Sequence, residues 1–510
     1  MKLLQNLDLR PHQLLRHACP ASLNDLNETL QRLYTAAIHV SCFIHPSMNP
    51  RTAGLEQSIW RDLPEDTFRS HLVQLEERTN AVPADAQQFP GSIPLFARDT
   101  DAYTFPLHDE LKLADAFAFI AAVQEGAQSV AAVCLEENAQ DRTLTVRFAA
   151  VDAINESLQR ALRTVCEILG DSAEQVTDSH KQLDKLFLFV TRLQVQRLLG
   201  RLRSSKWEKP KYLSRTHKKP LWQDFANLIH RVQFLYTKNE KTERHLVESQ
   251  LRSLAQLYSN FETIPSNSEQ EFSLLTHLIH TSYDHCTSEV LQAYGYRLAV
   301  AGQTNQVRAA VKTLRQIEKI AAYYRVSNTL IRASRRYPCY FLRQHLRLVY
   351  LPPYASIPTS IGYEDWAKTC HVHAEVQLLV HYDLNSLLTT RIASTETAQA
   401  KILPPRVIGT SKYLCFLCYL FIKTHGLFLP TNTHGRLYDQ WTIPDLAEFS
   451  DEQRERYRDV IMRMDDEVVS RAANPPLWRA EPMTSRENLL DAVRDESSIA
   501  LWRTLQSETQ

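Results

Sequence analysis

Apolar residues recur every three or four positions along most of this 510-residue chain, and that helical period gives way to another texture in two regions. Helices therefore dominate any fold open to it. Residues 22–42, with Leu23, Leu26, Leu30 and Leu33 on one stripe, are representative of the first 127 positions. Pro46, Pro50, Pro64 and Pro83 supply helix stops there, and 81–94 reads as a loop. The period resumes at Ala153, passes through Leu158, Leu162, Val165 and Leu169, then Leu183, Phe187, Val190 and Leu193, and continues in 242–258, 272–300 and 306–333. No solenoid signature repeats, so these helices read as an irregular bundle.

The first exception is a pair of apolar or alternating runs, 130–135 and 144–148, flanking the polar stretch 136–143, which predicts a β-hairpin. The second begins near Pro338. A short strand at 346–351 is stopped by Pro352 and Pro353, and a helix follows over 373–388 with Val376, Leu379, Val380, Leu384, Leu387 and Leu388 on one stripe. Next come a strand at 406–409, a helix over 411–424 closed by Gly426, and a strand-like 427–429. Strand, helix and strand in this order make an α/β unit. Beyond Pro444 the chain is charged and helical.

Composition narrows the function classes. Only 11 glycines leave little material for a phosphate-cradling loop, and 58 Lys+Arg against 58 Asp+Glu create no global field for nucleic acid or membrane. The longest apolar run, 414–422, is far short of the ~20 residues a membrane span needs. Asp8 and Arg10 interrupt the stretch where a signal peptide carries its apolar core. Nine cysteines, an odd number scattered singly except for one pair, suit a reducing compartment, so the expectation is an intracellular protein, cytoplasmic or nuclear. Cys42, Cys166 and Cys286 read as small buried hydrophobes.

The pair is Cys415 and Cys418, three apart at a helix start, where both sulfurs can reach one ion and the helix dipole favours thiolates. His373-Ala374-Glu375 opens the preceding helix. Sulfur plus imidazole suits tetrahedral zinc, and three protein ligands leave a position for water, as catalytic sites do. Glu375 beside it could take a proton from water and deliver it to a departing amine. At about 100° per residue, positions two apart on a helix diverge, so His373 and Glu375 converge only if His373 stands at the helix entrance. Cys415 and Cys418 by themselves would equally describe packing residues, half of a structural zinc site, or a thioredoxin-like redox pair. Cys370 and His371 read as approach-loop residues, His381 and His425 as surface or packing residues, and His434 as a candidate pocket residue.

His-x-Glu followed by Cys-x-x-Cys resembles the zinc-dependent nucleic-acid and nucleotide deaminases, whose pattern is His-x-Glu and then Pro-Cys-x-x-Cys. The stretches 372–379, 408–418 (IGTSKYLCFLC) and 433–441 (THGRLYDQW) are similar to a fungal deaminase-like family within that superfamily. The resemblance covers about a fifth of the chain. It implies an α/β fold with a cytidine-deaminase-like three-layer α/β/α core, Zn2+ as cofactor, His373, Cys415 and Cys418 as ligands, and Glu375 as proton shuttle. It also implies that the hairpin near 128–152 supplies the first two strands of the deaminase sheet. The expected partition is then a helical region 1–127, the hairpin, a helical insertion 153–337, a catalytic region 338–445 and a charged helical tail 446–510. Leu414 departs from the pattern, standing where the family has proline, and the step from His373 to Cys415 is long, with 391–403 available to absorb it. No asparagine matches the base-reading position of better-known members. Ser411 and Lys412, next to the metal-binding turn, join His434 as candidate substrate-binding residues.

The implied activity is hydrolytic deamination of a nucleobase in a nucleoside, nucleotide or nucleic acid. The alternative is a catalytically inactive deaminase-fold protein whose helical regions bind a partner. In residues 201–222, Arg201, Arg203, Lys206, Lys209, Lys211, Arg215, Lys218 and Lys219 interleave with Trp207, Tyr212 and Trp222, a mixture able to hold phosphates and stack on bases. A solvated linker is the competing reading. Arg332, Arg335, Arg336, Arg343 and Arg347 could line a substrate channel or pair with the acidic residues of 445–467.

Overall fold

The computed structural model describes residues 55–89, 103–124, 129–174, 179–208, 219–266, 268–302, 304–363, 367–393 and 402–475. The helix expected at 22–42, the middle of the basic run (209–218) and the chain beyond 475 lie outside the described residues. The fold is mixed α/β, mainly helical with small sheets. Helix α1 (Glu65–Thr79) is followed by α2 (Leu107–Ala121), then by strands β1 (Ala131–Asn138) and β2 (Thr143–Ala150). The two strands pair antiparallel from Ala131↔Ala150 to Asn138↔Thr143.

Seven helices come next: α3 (Glu156–Glu174), α4 (Ser179–Leu193), α5 (Val195–Leu202), α6 (Phe225–Leu235), α7 (Lys241–Thr263), α8 (Glu269–Thr287) and α9 (Glu289–Val300). The central rod is α10 (Asn305–Arg336). Thr304 caps it by accepting from Val307 N, and it ends just before Pro338, whose ring cannot continue a helix. Ala310, Leu314, Ile317, Ala321 and Leu330 lie buried along it. Each fully buried Leu or Ile contributes about 1.5–3 kcal/mol, so packing rather than propensity holds the bundle.

The chain then returns to the sheet. Strand β3 (Leu346–Tyr350) runs parallel to β2, with Leu144 opposite Leu346 and Phe148 opposite Tyr350. Parallel neighbours need a crossover, and here the helices α3–α10 form it. After β4 (Ile357–Pro358) and β5 (Thr369–Val372) come α11 (Ala374–Ala393), β6 (Ile402–Leu403), β7 (Gly409–Thr410), α12 (Phe416–His425), β8 (Trp441–Thr442) and α13 (Asp451–Ala473). One sheet has the order β3-β2-β1-β6, with β7 also pairing with β1; the other has the order β4-β5-β8.

Strand β1 is buried at every position, so it is covered on both faces. Val133 and Leu135, with Leu144, Val146 and Phe148 of β2, join the same apolar core as the helical bundle. The alternate residues meet α11: Tyr382 Oη donates to Glu136 at 2.5 Å, and Arg147 Nε donates to the same carboxylate at 2.6 Å. A buried carboxylate is tolerable when so paired.

Candidate metal centre

Strand β5 ends at Val372, and α11 starts at Ala374. His373 therefore occupies the entrance of the helix, where its carbonyl accepts from Gln377 N at 3.0 Å. That position lets its ring turn toward the same side as Glu375. Strand β7 and the following turn deliver Cys415 to the N-cap of α12, where its sulfur accepts from Cys418 N at 3.3 Å. His373 Nδ1 lies 3.7 Å from Cys415 Sγ and 3.4 Å from Cys418 Sγ, and Glu375 Oε2 lies 3.5 Å from Cys418 Sγ. The ligand atoms of His373, Cys415 and Cys418 fall within 4.8 Å of one another, the one such metal-competent group found among the described residues. Soft sulfur with imidazole nitrogen is a donor set that fits zinc.

The electrostatics suit a cation. Burial by itself raises the pKa of Cys415, but its contacts with Cys418 and with His373 reverse this and bring the thiol well below its ordinary value. Cys418 moves the other way, raised by burial, by Cys415 and by Glu375. Burial lowers His373, yet Cys415 and then Glu375 raise it overall. Glu375, 4% exposed, is raised by burial, with His373 opposing. Protons and a metal ion thus compete for one compact set of groups.

Leu414 uses its backbone N–H to donate to Asn432 O at 2.9 Å. The loop 432–437 braces the cysteine turn on its other side too: His434 N donates to Leu414 O at 3.1 Å and Phe416 N to Arg436 O at 2.8 Å. This loop is itself clasped by the segment after α1, since Gln87 and Thr433 exchange backbone hydrogen bonds and Leu437 N donates to Ala81 O. Gly435, at φ 68°, passes so close that a Cβ there would lie 2.0 Å from Ala84 O.

Of the candidate substrate-binding residues, His434 is buried, with Nδ1 accepting from Arg436 N at 3.1 Å. Burial lowers its pKa to about 4, with Cys415 opposing. Ser411 is buried against β1, its hydroxyl accepting from Ala131 N and its N–H donating to Ala131 O. Lys412 is half-buried, and its carbonyl accepts from Thr410 Oγ1. Cys370 is buried, and His371 pairs in register with Trp441, neither joining the metal-competent group. His381 is half-buried and touches the Tyr382 ring edge-on, and the His425 side chain is 1% exposed beside Asp383.

Several described residues of the basic runs are engaged within the fold. Arg203 and Lys219 pair with Asp224, Lys206 with Glu271, and Arg201 donates to Lys319 O. Arg336 pairs with Asp109 and Arg343 with Asp171, rather than with the acidic residues of 445–467. Sequence reasoning passed over Trp441, Arg69 and the clasp at 81–89. Trp441 stood in a motif already singled out, whereas Arg69 and the clasp carry no local signal.

An α/β frame gathers one histidine and two cysteines at the starts of successive helices, a group that could hold a metal ion as deaminase domains do. In agreement, residues 372–445 match a family model described as "OTT_1508_deam:-like deaminase", and His373, Cys415 and Cys418 are a set consistent with the deaminase superfamily. No curated protein and no solved structure matches the chain. No helix of the described residues is long and apolar enough to cross a membrane.

Proposed function

We propose that the chain is a zinc-dependent hydrolytic deaminase acting on a nucleobase in a nucleoside, nucleotide or nucleic acid. The observation that carries this reading is the convergence of His373, Cys415 and Cys418, with the Glu375 carboxyl 3.5 Å from Cys418 Sγ, inside the region that matches a deaminase family. The proposed frame is a cytidine-deaminase-like α/β/α core in which β1 and β2 serve as the first strands, α3–α10 form an insertion, and 338–445 carries the chemistry. His373 through Nδ1, Cys415 and Cys418 would hold the zinc. When bound, that ion supplies Lewis acidity, which makes water nucleophilic near neutral pH.

The protein's own groups do the rest. Water adds to the ring carbon bearing the exocyclic amine, and ammonia leaves as the carbonyl forms. Glu375 suits the proton traffic: burial raises its pKa toward the working pH, where a carboxyl can both take and return a proton. It accepts a proton from the attacking water and passes it to the ring nitrogen, then accepts the remaining hydroxyl proton of the tetrahedral adduct as the carbonyl forms and passes that one to the leaving amine. His434, held neutral by burial beside the cysteine turn, and Lys412 are proposed to face the substrate, with Ser411 fixing the turn against β1.

The test is metal content together with ammonia release. The purified chain is expected to carry about one zinc, Cys415→Ala to lose it, and Glu375→Gln to keep it while ammonia release falls by about two or more orders of magnitude. Zinc retained with no ammonia from nucleosides, nucleotides or single-stranded polymers would sink the enzymatic reading and leave the partner-binding one.

A further inference from the structure

Trp441 is 1% exposed, and its indole N–H has no hydrogen bond of ordinary geometry. A donor left unpaired in an apolar interior costs about 1–3 kcal/mol, so its surroundings bear on why it is kept. Strand β8 lies parallel to β5, placing Trp441 opposite His371, two residues before His373. The indole meets Phe421 edge-on at 5.7 Å, and Phe421 lies one turn beyond Cys418 on α12. Arg69, 3% exposed, holds this strand from the other side, donating to Asp439 O at 3.3 Å and Trp441 O at 3.5 Å. Glu65 fixes Arg69 at 2.5 Å and accepts from Thr442 Oγ1 at 3.0 Å. Cys418 and Phe421, three apart on α12, share one face of that helix, so the ring that meets Phe421 lies on the side of α12 that carries Cys418.

We infer that Trp441 is a positioning residue of the metal centre, its indole N–H donating to the Cys418 sulfur when that sulfur ligates the ion. The inference rests on the zinc reading above. A neutral thiol is a weak acceptor, and the N–H gains little from it. A coordinated thiolate carries negative charge and accepts a charge-assisted bond, so the donor satisfied only in the loaded state favours that state. Drawing density from sulfur also tunes the metal, as partners outside the ligand set commonly do. Arg69 and Glu65 act one step further back by holding the strand that presents the indole.

Cobalt(II) substitution tests this, because thiolate-to-cobalt charge transfer reports on the sulfur directly. Trp441→Phe keeps a ring against Phe421 and deletes the N–H. It is expected to weaken cobalt binding about tenfold and to move the charge-transfer band to lower energy, with circular dichroism of the metal-free protein unchanged. Unaltered affinity and band position overturn the inference. If Trp441→Phe fails to fold, benzothienyl-alanine at position 441, which replaces N–H by sulfur in nearly the same volume, is read against the same two outcomes. A wild-type chain with no thiolate-to-cobalt band at all fails the zinc reading itself, a result distinct from a band that ignores Trp441.

Discussion

Leu414 and His434 show how single residues serve the cysteine turn. The N–H that Leu414 donates to Asn432 O is one that a proline at this position would lack, so leucine allows a strand-like bridge to the loop 432–437. His434 braces the same loop, and burial takes its pKa from the ordinary value of 6.5 to about 4. A base whose folded pKa is depressed binds fewer protons than in the unfolded chain. Its contribution to stability is therefore fully present above about pH 6.5 and is lost as pH falls toward 4, amounting to about 3 kcal/mol at most. His434→Asn retains an acceptor near the Nδ1 position but cannot titrate. In metal-depleted protein, urea unfolding at pH 7 and pH 5 should show a smaller acid loss for the variant; equal losses would remove His434 from the account. The candidate ligands themselves were legible in the residue pattern, because His-x-Glu and Cys-x-x-Cys encode local geometry. Trp441 was not, because an indole's role depends on which sulfur lies across from it.

At the scale of elements, close approach decides what sequence periodicity cannot. Strand β7 is only Gly409–Thr410, yet it pairs with Val133 and Ala132 of β1 and leads to the cysteines. A Cβ on Gly409 would lie 2.4 Å from the backbone carbon of Ala114 in α2, which cannot move aside as a flexible side chain could. Gly409→Ala should therefore cost about 1–3 kcal/mol in denaturant unfolding. Gly302→Ala, where nothing lies within 4 Å, serves as the control and should be near neutral. Long elements were legible for the opposite reason: the repeated stripe of 306–333 marks α10, and the alternation at 130–135 and 144–148 marks β1 and β2. The run 272–300 reads as one helix by its period, but the chain breaks into α8 and α9 at Ser288, whose hydroxyl accepts from Leu291 N and caps the second. The strand expected at 427–429 amounts to a lone bridge between Leu429 and Val407. Pairs as short as β6, β7 and β8 have no period, since two residues cannot display one.

Across the whole molecule, the metal-competent group depends on chain segments far from it in sequence. β1 is the hub of its sheet, bonded to β2 on one side and to both β6 and β7 on the other, and its Val133 and Leu135 are rooted in the same apolar core as the helices α3–α10. The second sheet is held from α1 by Arg69, and the loop bracing Cys415 is clasped by 81–89. A chain beginning at residue 338 would contain all four chemical residues and none of these supports. Its β6 and β7 would expose unpaired backbone groups, and α11 would lose the β1–β2 face that receives Tyr382. Residues 338–475 alone are therefore expected to show no cooperative thermal transition and to bind cobalt without the compact thiolate spectrum of the full chain. Co-expression with residues 55–337 should restore both, because the missing partners are noncovalent. If 338–475 instead melts sharply and binds metal like the intact protein, the helical mass is dispensable to the site, and the crossover α3–α10 is an appendage whose reason for existing lies elsewhere.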